Sequence, residues 1–197
     1  MRLPDWKRKS MVDQEAVETQ RMTVSANQRE NFLRLIGQYE PALRRLAGAY
    51  LERPADREDL FQDIAVALWQ SIAKFRGESS ERTWLYRIAH NVAISSAAKI
   101  RRVGRKEESI PMPFDRFSSS PGAEQALLKE ERRLLLVDSI RDLPMIDRQI
   151  ILLHLESLSY AEIEDVTGLS ESAIATRLTR IREKLKENIR SKEVGGQ

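Results

Sequence analysis

The sequence predicts an all-α protein with two small helical domains. Apolar residues recur at helical spacing in several segments, and little of the chain shows the alternation of a half-buried strand. Only 8 glycines and 7 prolines occur in 197 residues, and few lie inside those segments. The stretch SIPMPFDRFSSSPGA, 109–123, breaks the pattern with three prolines and four serines. We therefore place a flexible linker between the domains at 107–123.

The composition favours a cytoplasmic protein with a hydrophobic core. Apolar residues make up 41% of the chain and charged residues 32%. The chain has no cysteine, which excludes disulfides and thiolate metal sites and fits a reducing compartment. Its longest apolar runs, such as LLLV at 134–137, are far too short to cross a bilayer, so no membrane insertion is expected. The basic N-terminus lacks the apolar stretch of a signal peptide.

The distribution of charge says more than the net charge of +3. The run KIRRVGRK, 99–106, holds five basic residues and no acidic one, and 173–190 holds six basic residues against two acidic ones. Such clusters are typical of surfaces that bind a polyanion. A solvated helix end explains the charge alone equally well.

The N-terminal half is predicted to contain three helical segments. Residues 1–28 have no sustained apolar face, and we predict that they are disordered. A helical pattern begins at Phe32, and Pro41 is expected to break or kink it. Asp56 is expected to cap the next helix, which carries apolar positions as far as Phe75.

A polar tip around Gly77 separates that helix from one that begins near Ser80. The segment KFRGESSERTWLYRIAHN, 74–91, contains both flanks. Helical spacing turns Leu85, Ile88, Ala89 and Val92 of the new helix towards the core.

A second stripe of the same helix carries a different chemistry. Trp84, Arg87 and Asn91 recur at i, i+3 and i+7, beside the apolar side. An aromatic ring, a guanidinium and an amide are suited to stacking on and hydrogen-bonding unstacked bases. Phe75 is placed to close one wall. Trp69, Trp84 and Tyr86 are individually more often core residues, and we expect at least one of them to be buried.

The C-terminal half carries the pattern of a helix-turn-helix. Helices are predicted near 124–142 and 146–155. Ser159 and Glu162 then form a capping box, in which each side chain satisfies a free backbone N–H. Gly168 supplies a sharp turn, and Ser170 caps the last helix. Two short helices joined by such a turn, the second longer and basic, are typical of DNA-binding domains.

The last helix divides into a buried side and a basic side. Ile174, Leu178, Ile181 and Leu185 are expected to pack on the preceding helices. The other side presents hydroxyl and basic groups that can reach bases or phosphates: Ser172, Thr176, Arg177, Arg180 and Lys184. A helical bundle with an ordinary basic surface is the alternative.

The helix after Asp56 has an acidic face opposite its apolar one. Asp59 and Asp63 lie one turn apart, where like charges destabilise a helix by a few tenths of a kcal/mol unless a cation sits against them. A protein partner is one explanation, and a solvated helix surface is the other. No histidine or third acid joins the two carboxylates, and neither His90 nor His154 has a nucleophile beside it in the sequence. We therefore predict no metal site, no cofactor and no enzymatic activity.

The order of these features resembles the extracytoplasmic-function (ECF, group 4) sigma factors of bacterial RNA polymerase, over roughly 29–190. In that family the helix matched by DREDLFQD docks on the clamp helices of the polymerase β′ subunit. The segment matched by FRGESSERTWLYRIAHN reads the −10 element, capturing a base flipped from the non-template strand, and the C-terminal helix-turn-helix reads the −35 duplex. The resemblance implies sigma region 2 at 29–106 and region 4 at 124–192.

Carried over residue by residue, the resemblance implies three sets of contacts. The contacts with core polymerase are assigned to Asp59, Leu60, Gln62 and Asp63. The −10 contacts are assigned to Phe75, Arg76, Gly77, Glu78, Ser79, Trp84, Arg87, Asn91, Arg101 and Arg102. The −35 contacts are assigned to Ser172, Thr176, Arg177, Arg180 and Lys184.

The implied function is that of a promoter-specificity subunit that binds core polymerase, recognises both elements and promotes melting. The implied partners are the β′ clamp helices, the β flap, promoter DNA and an anti-sigma factor. The chain departs from the family at Ala175, where a basic residue is frequent, and its tip carries Glu78 and Glu81, which do not suit a general phosphate clamp. A stand-alone helix-turn-helix regulator and an adaptor protein remain as alternatives.

Overall fold

The computed structural model describes residues 5–103 and 123–195, and the regular secondary structure of this part of the chain is all α-helix. The all-α prediction is therefore confirmed. Of the predicted linker, only Ala123 lies within the described residues, and it begins the fourth helix. None of the described helices is long and apolar enough to span a membrane. In chain order they are α1 Asp5–Tyr50, α2 Pro54–Ile72, α3 Glu81–Val103, α4 Ala123–Arg141, α5 Met145–Leu155, α6 Tyr160–Thr167 and α7 Glu171–Gly195.

The first helix differs from the sequence prediction at its start, and it is not broken at Pro41. It begins at Asp5 rather than near Phe32, so the disorder predicted for 1–28 is replaced by helix from Asp5 onwards. Extending an established helix costs little compared with starting one, and it needs no apolar face. Pro41 lies inside α1, and the helix continues on both sides of it. Because Pro41 is exposed, solvent can reach the backbone at this point.

The C-terminal end of α1 is capped by arginines from two other helices. Arg57 of α2 donates from Nε to the Leu51 carbonyl at 3.0 Å and from Nη2 to the Glu52 carbonyl at 2.5 Å. Arg141 of α4 donates two hydrogen bonds to the Gly48 carbonyl, at 2.9 and 2.6 Å. These cations satisfy carbonyls that a helix end leaves free and lie at the negative end of its dipole. Partial burial lowers the pKa of both guanidinium groups.

The start of α2 also corrects the sequence prediction. Arg53 occupies the N-cap position, and Pro54 is the first helical residue. Asp56 lies in the first turn instead of capping the helix. Proline suits this position because its fixed φ is helical and its missing N–H would have had no partner there.

One side of α3 is buried against α1 and α2. Leu85, Ala89 and Ala93 have no exposed area, and Tyr86 is 2% exposed, while Ile88 and Val92 are only half-buried. Tyr86 is thus the core aromatic that we expected, whereas Trp69 is 38% exposed.

His90 is buried in the same core beside two tyrosines. Its Nδ1 lies 2.9 Å from the Tyr50 hydroxyl, and Nε2 has no hydrogen-bond partner. The ring also lies near Tyr86, with centroids 6.3 Å apart. Burial of the imidazole lowers the pKa of His90 to about 3, because the charged ring would be desolvated. The histidine is therefore neutral in the folded protein.

The helix-turn-helix forms as the caps predict. The Ser159 hydroxyl accepts a hydrogen bond from the Glu162 amide at 3.2 Å, and the Glu162 carboxylate accepts one from the Ser159 amide at 2.9 Å. Gly168 ends α6 with φ 74°, a left-handed conformation that glycine adopts without strain. The Ser170 hydroxyl then accepts a hydrogen bond from the Ala173 amide at 3.4 Å, at the start of α7.

The two helical groups contact each other, which the sequence did not predict. One group is α1–α3 and the other is α4–α7. In the described part of the chain α3 packs beside α6, and α1 packs beside α4. Arg148 of α5 also lies over the Tyr50 ring, 5.7 Å from its centroid.

Replacement of His90 by asparagine is expected to flatten the dependence of stability on pH. The unfolded chain binds a proton at this histidine near pH 6.5 and the folded chain only near pH 3. Falling pH between these values thus favours the unfolded chain, by up to about 1.4 kcal/mol per pH unit. Asparagine keeps a polar group near Nδ1 for Tyr50 but has no ionisable group.

Chemical unfolding of both proteins at pH 7, 6, 5 and 4 measures this slope. The variant is expected to have lower stability at pH 7 but a shallower decline. The half-buried His154 provides the control, and its replacement should change the slope less. If the dependence of stability on pH is the same in His90→Asn as in the wild type, the lowered pKa of His90 in the folded protein is contradicted.

Candidate nucleic-acid and polymerase interface

The exposed side of α2 is the first candidate surface. Asp59, Gln62 and Asp63 are exposed on it, and Val66 on the same side is 54% exposed. Neither Asp59 nor Asp63 contacts a cation within the described residues. The surface therefore keeps two adjacent negative charges beside an apolar side chain, an arrangement that suits a basic protein partner.

Leu60, which the resemblance assigned to the same contact, lies on the other side of α2. It is only 1% exposed and packs in the core with Ile64 and Leu68, at spacings of i+4 and i+8. The assignment of Leu60 to the polymerase surface is thus corrected. Its role is to hold α2 in place.

The second candidate surface is the corner between α2 and α3. The backbone leaves α2 after Ile72, and Gly77 at the tip has φ 74°. The Phe75 and Trp84 rings stack with centroids 5.0 Å apart and planes inclined by 41°. The two aromatics thus link the end of α2 to the first turn of α3.

A cavity of about 540 Å³ opens beside these rings. Arg87, one turn along α3, forms part of its wall, and the buried Nε of Arg87 has no hydrogen-bond partner. Asn91 is exposed one turn further along and lies outside this lining. The described residues that line the cavity are Ala73, Lys74, Phe75, Arg76, Glu78, Ser79, Trp84 and Arg87.

Two further basic residues lie at the far end of α3. Arg101 and Arg102 are exposed in its last turn, and Lys99 is exposed just before them. The remainder of the basic run, from Gly104 on, lies outside the described residues. Glu81 of the tip is held by Arg34 of α1, with Arg34 Nη1 3.0 Å from Oε1, so its charge is compensated within the protein.

The third candidate surface is the exposed side of α7. Ser172, Thr176, Arg180 and Lys184 are exposed on it, as the pattern predicts. The opposite side is buried: Ile174 and Leu178 have no exposed area. The side chains available to DNA therefore combine hydroxyl groups near the helix start with cations further along.

Arg177 differs from its neighbours because it has a partner inside the protein. Its Nη1 lies 2.8 Å from Oδ1 of Asp147, in the first turn of α5. The two side chains are 37% and 21% exposed. The prediction that Arg177 faces DNA is incomplete, since the residue also fastens α7 to α5. Asp147 gave no signal in the sequence, because its partner is 30 residues away.

Two family models match this chain. Residues 35–103 match the model of Sigma-70 region 2, and 133–185 match that of Sigma-70 region 4. The chain is 32% identical over 141 residues to the RNA polymerase sigma factor YlaC of Bacillus subtilis, covering 67% of this chain and 76% of that protein. The chain belongs to the ECF sigma factors. It is 28% identical to the ECF RNA polymerase sigma-E factor of Haemophilus influenzae, over 91% of this chain and 96% of that protein.

Two solved structures share the fold of this sigma factor. CnrH, in complex with the cytosolic domain of CnrY, aligns with a TM-score of 0.60 at 23% identity, over 86% of this chain and 96% of that one. The sigma factor RpoE of Bartonella quintana, in complex with the anti-sigma factor NepR, aligns with a TM-score of 0.63 at 23% identity, over 82% and 98%. Sigma factors are transcription initiation factors and not enzymes.

Arg177→Ala is expected to lower both the stability of this sigma factor and its affinity for −35 DNA, whereas Arg180→Ala lowers only the affinity. The first change removes a half-exposed ion pair, worth up to about 1 kcal/mol. The second removes an exposed cation that we expect to contact a base or a phosphate. Thermal unfolding and binding of the holoenzyme to a −35 duplex separate the two effects. Asp147→Ala completes a double-mutant cycle, and strictly additive losses of stability would contradict the ion pair.

Proposed function

We propose that this sigma factor directs core RNA polymerase to promoters through three surfaces. The cavity at the α2–α3 corner captures an unstacked base of the −10 element. The exposed side of α7 lies in the major groove of the −35 duplex, and the exposed side of α2 docks on the β′ clamp helices. The chain itself performs no chemistry and needs no cofactor. The free energy for melting comes from binding.

The observation that carries the −10 assignment is the cavity between the Phe75–Trp84 pair and Arg87. Its volume lies within the range of about 300–1,000 Å³ that small-molecule pockets occupy. Aromatic faces accept any base by stacking, and the guanidinium of Arg87 in the cavity wall supplies hydrogen-bond donors for a base edge. Glu78 at the rim repels a phosphate, so the cavity favours the base over the backbone.

The energies of capture and melting are comparable. Stacking of a base on an aromatic side chain is worth about 1–3 kcal/mol. Extracting a base from a duplex costs a few kcal/mol. Capture of one or two bases is therefore enough to favour local melting once polymerase has positioned the promoter. The exposed Arg101 and Arg102 supply phosphate contacts at the other end of α3.

The α7 helix suits duplex recognition because hydroxyl groups lie near the start of its exposed side and cations lie further along it. Ser172 and Thr176 lie near its N-terminus, where side chains of a recognition helix meet base edges. Arg180 and Lys184 follow at successive turns, at the level of the phosphates or of a guanine. Ala175 offers no such contact, so the −35 preference depends on fewer basic residues than is usual in the family.

The protein partners follow from the same surfaces. The acidic side of α2 complements a basic face of the β′ clamp helices, and region 4 meets the β flap. Two solved structures with this fold are complexes, one with the cytosolic domain of CnrY and one with the anti-sigma factor NepR, so we include an anti-sigma factor among the partners. We therefore propose that the protein acts in the cytoplasm.

Asn91→Ala is expected to slow open-complex formation on a duplex promoter by about tenfold and to act less on a pre-melted one. The exposed carboxamide lies one turn beyond Arg87 on the same side of α3, where a strand leaving the cavity passes. The Asn91 contact is made only with the melted strand. A pre-melted template does not need this contact for strand separation, so the defect is smaller on that template.

Run-off transcription with purified core polymerase on both templates measures this difference. The matched control is Ser95→Ala, because the Ser95 hydroxyl is bound to the Asn91 carbonyl within the helix at 2.8 Å. An equal defect on both templates would show that Asn91 does not act in melting.

Asp63→Lys is expected to weaken binding to core polymerase by about tenfold or more. The change reverses one of two adjacent exposed charges on α2 and so places like charges across the interface. Glu30→Lys makes the same change of charge at an exposed position of α1 and serves as the control. Titration of labelled sigma factor with core polymerase gives both affinities. If Asp63→Lys and Glu30→Lys bind core polymerase with equal affinity, the docking surface does not lie on α2.

A further inference from the structure

Three residues of α1 contact both sides of the α2–α3 corner. On the α2 side, Gln28 Nε2 donates a hydrogen bond to the Trp69 carbonyl at 3.1 Å, and the Phe32 ring packs edge-on against the Trp69 ring with centroids 5.3 Å apart. On the α3 side, Arg34 donates from both Nη1 and Nη2 to the Glu81 carboxylate, with Nη1 3.0 Å from Oε1. We refer to these contacts of Gln28, Phe32 and Arg34 as the α1 contacts.

The α1 contacts reach α2 and α3 one helical turn from the −10 cavity. Trp69 precedes Ala73 by four residues, and Ala73 lines the cavity. Glu81 is the first residue of α3, and Trp84 of the cavity wall follows three residues later. Residues at these spacings lie on the same side of a helix. The α1 contacts therefore hold the end of α2 and the start of α3 beside the two walls of the cavity.

The tip between these walls has few bonds of its own. The amides of Lys74 and Phe75 donate to carbonyls in the last turn of α2, at 2.9 and 3.2 Å. Within the described part of the chain, the side chains of Arg76, Glu78 and Ser79 form no hydrogen bond or ion pair. The width of the cavity is thus set by how α2 and α3 are held on either side of the tip, and not by the tip itself.

The α1 contacts precede the segment that matches sigma region 2. That match begins at residue 35, whereas Gln28, Phe32 and Arg34 lie just before it. The helix α1 runs without a break from Asp5 to Tyr50, so these residues belong to the same rigid element as the region 2 core. Leu35 is 2% exposed, and its burial fixes the rotation of α1 at the residue next to Arg34.

We propose that Arg34 is a positioning residue for base capture, and that the −10 reader of this sigma factor extends into residues 28–34. Arg34 is not among the described residues that line the cavity, so it acts through Glu81. The paired hydrogen bonds between them fix the first turn of α3 relative to α1, and with it the place of Trp84 in the cavity wall. The proposal rests on the base capture proposed above.

The geometry of the pair favours positioning over stabilisation. The Arg34 and Glu81 side chains are 49% and 32% exposed, and ion pairs this exposed add little to overall stability. A guanidinium that bonds both oxygens of a carboxylate fixes its direction as well as its distance. A binding site needs such support, because its groups must be held to within about 0.5 Å of the productive geometry.

The test is a double-mutant cycle between Arg34 and the captured base. The full-length chain is assembled with core polymerase in excess, and open-complex formation is timed on a duplex promoter. Each nucleotide of the non-template −10 element is then replaced in turn by an abasic site. Every variant meets the same templates, so the effect of the abasic site on the DNA itself cancels when a variant is compared with the wild type.

Trp84→Ala first locates the captured base. Loss of the stacking wall matters only where a base is present, so the defect of this variant should disappear on one abasic template. Arg34→Ala is expected to slow opening of the intact promoter about three- to tenfold, in the range of coupling between residues that act together. Its defect should disappear on the same abasic template as that of Trp84→Ala.

The matched control is Arg44→Ala. Arg44 pairs with Glu58 between α1 and α2, with Nη1 2.7 Å from Oε2, and the two side chains are 45% and 49% exposed. This ion pair is similar in exposure but lies near the start of α2, far along the helix from the tip. Any defect of Arg44→Ala should therefore be the same on every template.

Two further variants separate positioning from compensation of charge. Removal of Arg34 leaves the Glu81 carboxylate uncompensated, and this charge repels DNA phosphates. Arg34→Ala combined with Glu81→Gln removes that charge but does not restore the paired bonds, so the defect should persist. Arg34→Lys keeps the charge without the fork and should lie between the wild type and Arg34→Ala.

Each outcome bears on one of the two proposals or on both. Wild-type opening by Arg34→Ala, an Arg34→Ala defect that is equal on all templates, or recovery on addition of Glu81→Gln would overturn the positioning role. If the Trp84→Ala defect still depends on one position in those cases, base capture itself stands. A Trp84→Ala defect that is equal on every template would overturn base capture and the role of Arg34 together.

Discussion

The arrangement depends above all on the burial of one side of α3. Leu85, Ala89 and Ala93 have no exposed area, so this helix cannot rotate without exposing its core residues. Burial of a single leucine side chain is worth about 1.5–3 kcal/mol, more than the exposed contacts of the same helix. The rotation of α3 about its axis is thus set by packing, and it places Trp84 and Arg87 beside the cavity. The groups that we propose to read DNA are therefore positioned by the buried residues of the same helix.

Arginine serves the fold as much as it serves DNA. Arg57 and Arg141 cap the end of α1, Arg148 covers the Tyr50 ring, and Arg177 joins α7 to α5. A planar guanidinium presents five donors in a fixed fork and can satisfy several carbonyls or both oxygens of a carboxylate, whereas lysine has three donors on one nitrogen. A count of basic residues therefore overstates the charge available to a polyanion. The cations that remain exposed, such as Arg180, identify the DNA-facing side better than the net charge does.

Local features of this chain were predictable and distant ones were not. The capping box of Ser159, the turn at Gly168 and the buried side of α7 follow from residues within one or two turns of each other. The start of α1 at Asp5 was missed because helix extension needs no apolar pattern. Leu60 was assigned to the surface by family resemblance, although its spacing with Ile64 places it in the core. Pairs such as Arg177 and Asp147 leave no periodic trace in the sequence.

The contrast between the interior of each helical group and the contact between groups has a physical consequence. Within a group, helices are held by leucines and isoleucines such as Leu85 and Ile174, whose exposure would be costly. The contact of α3 with the α5–α6 corner is instead made by hydroxyls, carboxylates and a guanidinium around Glu162. Hydrogen bonds from the Ser159 amide, the Ser159 hydroxyl and Thr83, with the charge of Arg82, hold the pKa of Glu162 at about 2, so its charge persists at every physiological pH. The capping box with Ser159 uses the same carboxylate, so the N-terminal cap of α6 does not depend on the contact with α3.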